Sequence, residues 1–298
     1  MSDAYYFPVR LQHGHAGNGP QGSLIDSGVT TTANLSPATR AYLASLGIAE
    51  PDVDAEMAGL IWMHALAIGY SPAYLAENAD GIRRDWPRVP LPDSKDALLA
   101  SAELGKKIAA LLDTEDPVPG VTSGAARREL REVAVATREG KGALNPEAGD
   151  LAVKAGWGHA GKSGVTMPGS GKSVSRDYTP EEAAAIALGA ESLGLTQEEA
   201  RARLGETTRD IYLNDVAYWR NVPDRVWGYT IGGYQVMKKW LSYREEDLLG
   251  RPLTPEEVRE VTNMARRIAA ILLLEPALDE NYQKIRASAF PWAAALPK

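Results

Sequence analysis

DIYLNDVAYWRNVPDRVWGYTIGGYQVMKKWLSY, residues Asp210 to Tyr243, is the stretch on which the reading of this chain turns. Three of the seven tryptophans, Trp219, Trp227 and Trp240, lie in it among five tyrosines and the cations Arg220, Arg225, Lys238 and Lys239. Aromatic faces beside cationic heads suit two arrangements: a platform that stacks on bases and grips phosphates, or a core in which the rings anchor short elements. Ile211 to Leu213 reads as a strand. Gly232 and Gly233 then break the chain before a helix from about Tyr234 to Arg244, with Met237, Trp240 and Leu241 inward and Gln235, Lys238 and Lys239 outward.

Downstream, Thr254, Pro255 and Glu257 form a capping box. Val258, Val261, Ala265, Ile268 and Leu272 follow at steps of three and four, so this helix is expected to be the spine of the second domain. Arg266 and Arg267 flank that stripe and could either cover acidic neighbours or contact phosphate. Upstream, Thr179 with Glu182 and Thr196 with Glu199 are two more capping boxes, opening a pair of Ala- and Glu-rich surface helices. The tract before them, LAVKAGWGHAGKSGVTMPGSGKSVSRDY from Leu151 to Tyr178, is glycine-rich and basic, with Lys154, His159, Lys162, Lys172 and Arg176, and reads as an exposed, mobile loop. Its PGSGKS end invites a phosphate-loop reading. That motif needs glycine at the position held by Thr166 and a helix after the lysine, where Val174 to Tyr178 reads as strand.

In the first half, Tyr5 to Leu11 reads as a short strand, followed by a Gly-, Ser- and Thr-rich loop. His13 and His15 alternate there, but two ligands do not make a metal site. Helices are expected over Ala38 to Leu46, Ala55 to Gly69, from Pro72, and over Lys95 to Leu112 with Leu104, Ile108, Leu111 and Leu112 on one side. His64 falls on an apolar stripe with no nucleophile near it, which favours a hydrogen-bonded core histidine. Arg83 to Pro92 must be extended, because each proline pushes its predecessor out of the helical region. Asp113 to Gly124 reads as a linker and Glu129 to Thr137 as a strand.

With 298 residues and 44% apolar content the chain can bury a substantial core, and two domains are expected. The net charge of −7 repels nucleic acid overall, so DNA contact requires a local gathering of cations. Absence of cysteine excludes disulfides, thiolate zinc sites and cysteine nucleophiles. No basic leader with an apolar region and no membrane-length apolar run occurs, so a soluble, cytoplasmic protein without membrane contact is expected.

Four segments together resemble a known family: NVPDRVWGYTIGGYQVMKKWLSYRE, LGRPLTPEEV with ARRIAAILLLEPALDENY, WGHAGKSGVTMPG, and SPAYLAENADGIRRDWPRVPLP. They are similar to the C-terminal region of type ISP restriction-modification enzymes and related adenine-specific DNA methyltransferases. Asn34, Leu35 and Ser36 match the end of a loop in that family, and Tyr74, Asp85, Pro87, Arg88 and Pro90 match its coupler segment. The resemblance implies an α+β chain: an N-terminal strand and loop over 1–35, a mainly α-helical coupler-like subdomain over 36–115, and a mixed α/β target-recognition domain over 125–298.

The family's methyl-donor glycine motif and its NPPY or DPPY tetrapeptide, whose aromatic stacks on a flipped adenine, do not occur here. The resemblance therefore implies sequence-specific recognition of double-stranded DNA, with no cofactor, metal or catalytic residue of its own. The chain is expected to be a fragment or separate subunit serving a methyltransferase or nuclease partner. The expected DNA-binding set is Lys154, His159, Lys162, Lys172, Arg176, Trp219, Arg220, Arg225, Gln235, Lys238 and Lys239. The alternative is a module that docks on a restriction or defence complex without touching DNA.

Overall fold

The computed structural model describes residues 8–13, 30–48, 50–140 and 142–292, and these fall into two compact units. Unit 1 comprises Met1–Ala110 with Glu275–Lys298, and unit 2 comprises Leu111–Leu274. The last part of the chain, expected in the second domain, is thus in unit 1. The reason is apolar packing: Tyr282 and Ile285 bury themselves against Ile68 and Tyr74.

Unit 1 opens with an antiparallel pair, β1 (Arg10–His13) and β2 (Thr30–Ala33). Of the strand expected over Tyr5 to Leu11, the described Pro8 and Val9 precede β1, and Tyr5 to Phe7 lie outside the described residues, as does His15. His13 contacts the Thr32 hydroxyl at 2.8 Å. Four helical stretches follow: α1 (Pro37–Ser45), α2 (Ala55–Gly69), α3 (Pro72–Glu77) and α4 (Ala79–Arg84). Ser36, Asp54 and Ser71 each cap a helix by accepting backbone amides of its first turn.

The long helix α5 (Lys95–Leu112) buries Leu98, Ala102, Gly105 and Ile108. Leu104, expected on that face, is only half-buried. Gly105 decides the crossing with α2, because a β-carbon there would collide with the Met63 carbonyl. His64 is fully buried, 2.8 Å from the Ser101 hydroxyl and 2.9 Å from the Pro90 carbonyl, and Asn281 donates to the same hydroxyl at 2.9 Å. Burial pushes its pKa down to about 4.

In unit 2 the segment expected as one strand divides into a helical turn, α6 (Arg128–Arg131), and a strand, β3 (Val135–Arg138). Leu130 and Val133 are buried, which a helical turn achieves at a spacing of three where a flat strand would not. A small antiparallel pair comes next, β4 (Gly158–Ala160) and β5 (Thr166–Pro168), then β6 (Ser173–Arg176). Helices α7 (Pro180–Ser192) and α8 (Gln197–Leu204) both carry complete capping boxes. Strands β7 (Thr208–Tyr212) and β8 (Ala217–Pro223) then complete a four-stranded antiparallel sheet in the order β3-β8-β7-β6.

After the turn α9 (Asp224–Trp227), a two-residue hairpin, β9 (Thr230–Ile231) and β10 (Tyr234–Gln235), turns at Gly232 and Gly233, both at positive φ. Helix α10 (Val236–Ser242), the turn α11 (Glu246–Leu249) and α12 (Pro255–Ala287) follow. Val258, Val261, Ala265, Ile268 and Leu272 of α12 are all buried, as its stripe requires. The helix continues past Pro276, although proline withholds one backbone amide from the ladder. Among the described residues no helix is long and apolar enough to cross a membrane.

Candidate nucleic-acid interface

The glycine-rich tract expected to be loose is instead built on close contacts. Trp157 is buried, its indole N–H donating to the Tyr212 carbonyl at 2.8 Å and its ring meeting Trp227 edge to face at 5.2 Å. A β-carbon at Gly171 would run into the Trp157 ring, and one at Gly169 into the Gly156 carbonyl. The amide of Gly171 donates to the Gly156 carbonyl at 3.0 Å, which closes the base of the β4–β5 hairpin. Gly158 likewise allows contact with the Ser242 carbonyl at the end of α10. The hairpin therefore lies on α10 with His159 and Lys162 exposed and Val165 and Met167 uncovered near its tip.

A second projection leads into the same helix. Tyr234 in β10 and Tyr243 just after α10 are 61% and 46% exposed, and Lys239 places its ammonium 4.7 Å from both rings. Neither Lys238 nor Lys239 forms an ion pair among the described residues, and His159 makes no hydrogen bond there. Arg244, on the same segment, stacks at 3.8 Å over Trp240, whose indole donates to Glu260 at 2.9 Å. Two hairpins and a short helix thus present cationic heads and open tyrosine faces, which is the chemistry that holds phosphates and bases.

The other expected cations are differently placed. Arg176 donates to both oxygens of Glu182, at 2.7 and 2.9 Å, and to both of Asp210, at 2.9 and 3.0 Å. Arg220 pairs with Glu132 at 2.9 Å and approaches Glu182 at 3.8 Å. Burial alone would raise the Glu182 carboxyl, but the Arg176 fork and the Thr179 amide outweigh it and hold it below the usual range. Asn221, at φ +59, forms the bulge where β7 and β8 slip register, and its amide donates to Asp210 at 3.0 Å. Arg176 and Arg220 are thus struts of a charge cluster.

Lys154 is committed to Glu246 at 2.9 Å. Lys172 lies 3.2 Å from Asp215 and 4.5 Å above the Tyr212 ring, which stacks on Tyr218.

Five further residues of interest are placed as follows. Trp219 has no accessible surface, and its indole N–H donates to the Val258 carbonyl at 3.3 Å, so it is a core residue with no face to offer a base. Gln235 spends its amide on the Trp227 carbonyl, and Arg225 reaches the Ala202 carbonyl at 3.4 Å. Arg267 is buried and donates to the Leu111 and Asp116 carbonyls, while Arg266 donates to that of Arg131 at 3.0 Å, so these two brace backbone. Sequence reasoning overlooked Trp157 and Glu245. The crowding of glycines at 156, 158, 169 and 171 around that tryptophan is the available signal.

The model of the Type ISP C-terminal specificity domain matches residues 4–269. No curated protein and no solved structure matches the chain. The match runs through both units and takes in the hairpins and α10, and accordingly the chain belongs to the type ISP C-terminal specificity domain family, with a target-recognition role in a restriction-modification enzyme.

Proposed function

We propose that this chain binds double-stranded DNA directly through the α10 platform, with Lys238 and Lys239 gripping phosphates and the β4–β5 hairpin, carrying His159 and Lys162, entering a groove. The observation that carries the reading is Lys239 held between two exposed tyrosines with no carboxylate paired to it among the described residues. An acidic chain needs such a local concentration of positive charge to hold a polyanion. Unit 1 serves as the coupler to a methyltransferase or nuclease partner, and chemistry on DNA resides in that partner. The chain itself binds no methyl donor, and isothermal calorimetry with S-adenosylmethionine is expected to show no saturable heat.

Titration of a labelled duplex at increasing salt tests the DNA reading. Affinity falls with salt in the intact chain, and Lys238→Ala with Lys239→Ala flattens the slope by about 0.9 per lost phosphate contact. Exposed Val165, Met167 and Ile231 give the protein-docking alternative its own observation. A chain that binds no duplex at low salt would favour that alternative.

A further inference from the structure

Glu245 stands between the two halves of this platform. It is 7% exposed and forms no ion pair among the described residues. Its carboxylate accepts the Trp157 amide; burial raises its pKa, and that amide with the neighbouring Gly156 and Gly158 amides works against the rise by favouring the charged form. Backbone N–H groups at that turn favour an anion, and here the anion comes from within the chain, bonded to the Trp157 amide. A carboxylate buried without a cation is costly unless hydrogen-bonded. Among the described residues the groups that meet that need are at the root of the hairpin, so Glu245, which stands between α10 and α11, is committed to the hairpin's position.

We propose that Glu245 is a positioning residue: it locks the 158–168 hairpin against α10, so that His159 and Lys162 meet DNA in fixed register with Lys238 and Lys239. This rests on the DNA reading above. The geometry separates two quantities. Lys238 and Lys239 lie on α10 and keep their grip whether or not the hairpin is clasped, whereas discrimination among sequences needs the hairpin held in one place. The neighbouring seam does not use the Glu245 side chain: the backbone amide of Glu246 donates to the Val153 carbonyl at 2.8 Å, Lys154 pairs with the Glu246 carboxylate, and the backbone amide of Leu253 donates to the Leu151 carbonyl at 3.0 Å. Glu245→Ala is therefore expected to fold.

The test uses the full chain and a pool of short duplexes randomised at the centre. The intact chain is expected to enrich a sequence. The ratio of its affinity for that duplex to its affinity for a scrambled one should fall roughly tenfold or more in Glu245→Ala, the scale of a hydrogen bond to a charged group. Affinity for the scrambled duplex and its salt slope should stay unchanged. Glu245→Gln, which keeps an oxygen acceptor, should restore most of the ratio. Amide exchange at Gly156, Trp157 and Gly158, measured without DNA, should accelerate in Glu245→Ala.

An unchanged ratio, unchanged exchange, or a Gln variant as impaired as the Ala variant would overturn the clasp. If the intact chain enriches nothing, the DNA reading fails instead, and the exchange rates alone decide whether Glu245 clasps the hairpin.

Discussion

The sheet of unit 2 and its α10 platform both carry cations that look alike in the sequence, yet their surroundings give them opposite work. On the sheet, Arg176 and Arg220 face Glu182, Asp210 and Glu132, and their charge is cancelled within the fold. On the platform, Lys238 and Lys239 meet tyrosine rings or solvent and no carboxylate among the described residues. A cation beside a carboxylate holds structure together, and a cation beside an open ring leaves its field available to a partner. Unit 1 extends the contrast: His64, buried with no counter-charge among the described residues, is driven toward neutrality, whereas Glu182, buried with two arginines nearby, is kept ionised.

The hardest test of this contrast is Arg176→Ala. It leaves Glu182 and Asp210 buried or half-buried without their fork, and stability is expected to drop by about 3–5 kcal/mol, read by denaturant unfolding. Measured where the variant remains folded, duplex affinity should keep its salt slope. A flattened slope would return Arg176 to the interface.

Next in size is the acid response of unit 1. Because the folded pKa of His64 is about 4, below the unfolded value near 6.5, its contribution is fully present above about pH 6.5. It is lost as pH falls toward about 4, roughly 3 kcal/mol in all. Glu182 responds lower, its contribution present above the unfolded carboxyl value and lost as pH falls through its depressed folded one. His64→Gln should remove the dependence in the upper window and leave the carboxylate limb. Stability flat from neutral pH down to 5 in the unmodified chain would contradict the buried, neutral state of His64.

Trp219→Phe keeps most of the buried ring and deletes the bond to Val258. A loss of about 1 kcal/mol is expected, with duplex binding unaltered. Weakened binding without loss of stability would restore Trp219 as a stacking residue. The smallest effect on stability, within about 0.5 kcal/mol, belongs to Lys238→Ala with Lys239→Ala. That pair should nonetheless have the largest effect on DNA affinity of these substitutions. A drop in melting temperature comparable to that of Arg176→Ala would show that the lysines are struts as well.

Elements whose signals are local were legible from the chain alone. Ser36, Ser71, Thr179, Thr196 and the stripe from Val258 to Leu272 announced helices, because a cap or a 3.6-residue repeat is completed within a few residues. The α+β class and the family likeness followed from such segments. The set of exposed cations was not legible, and neither was the firmness of the glycine-rich tract. Whether Arg176 reads a base or braces Glu182 depends on strands β6 and β7 coming together, and Asp210 lies 34 residues away from it. Likewise the glycines around Trp157 look like slack until Ser242 and Glu245 are brought against them, 84 and 88 positions beyond Gly158 and Trp157 in turn.

By itself, then, the sequence determined where the chain turns helical, which faces are apolar and how much charge it carries, since each is a property of neighbouring residues. Only the tertiary structure decided which charges remain for a partner, because neutralisation and burial depend on distances between groups that the chain order keeps apart.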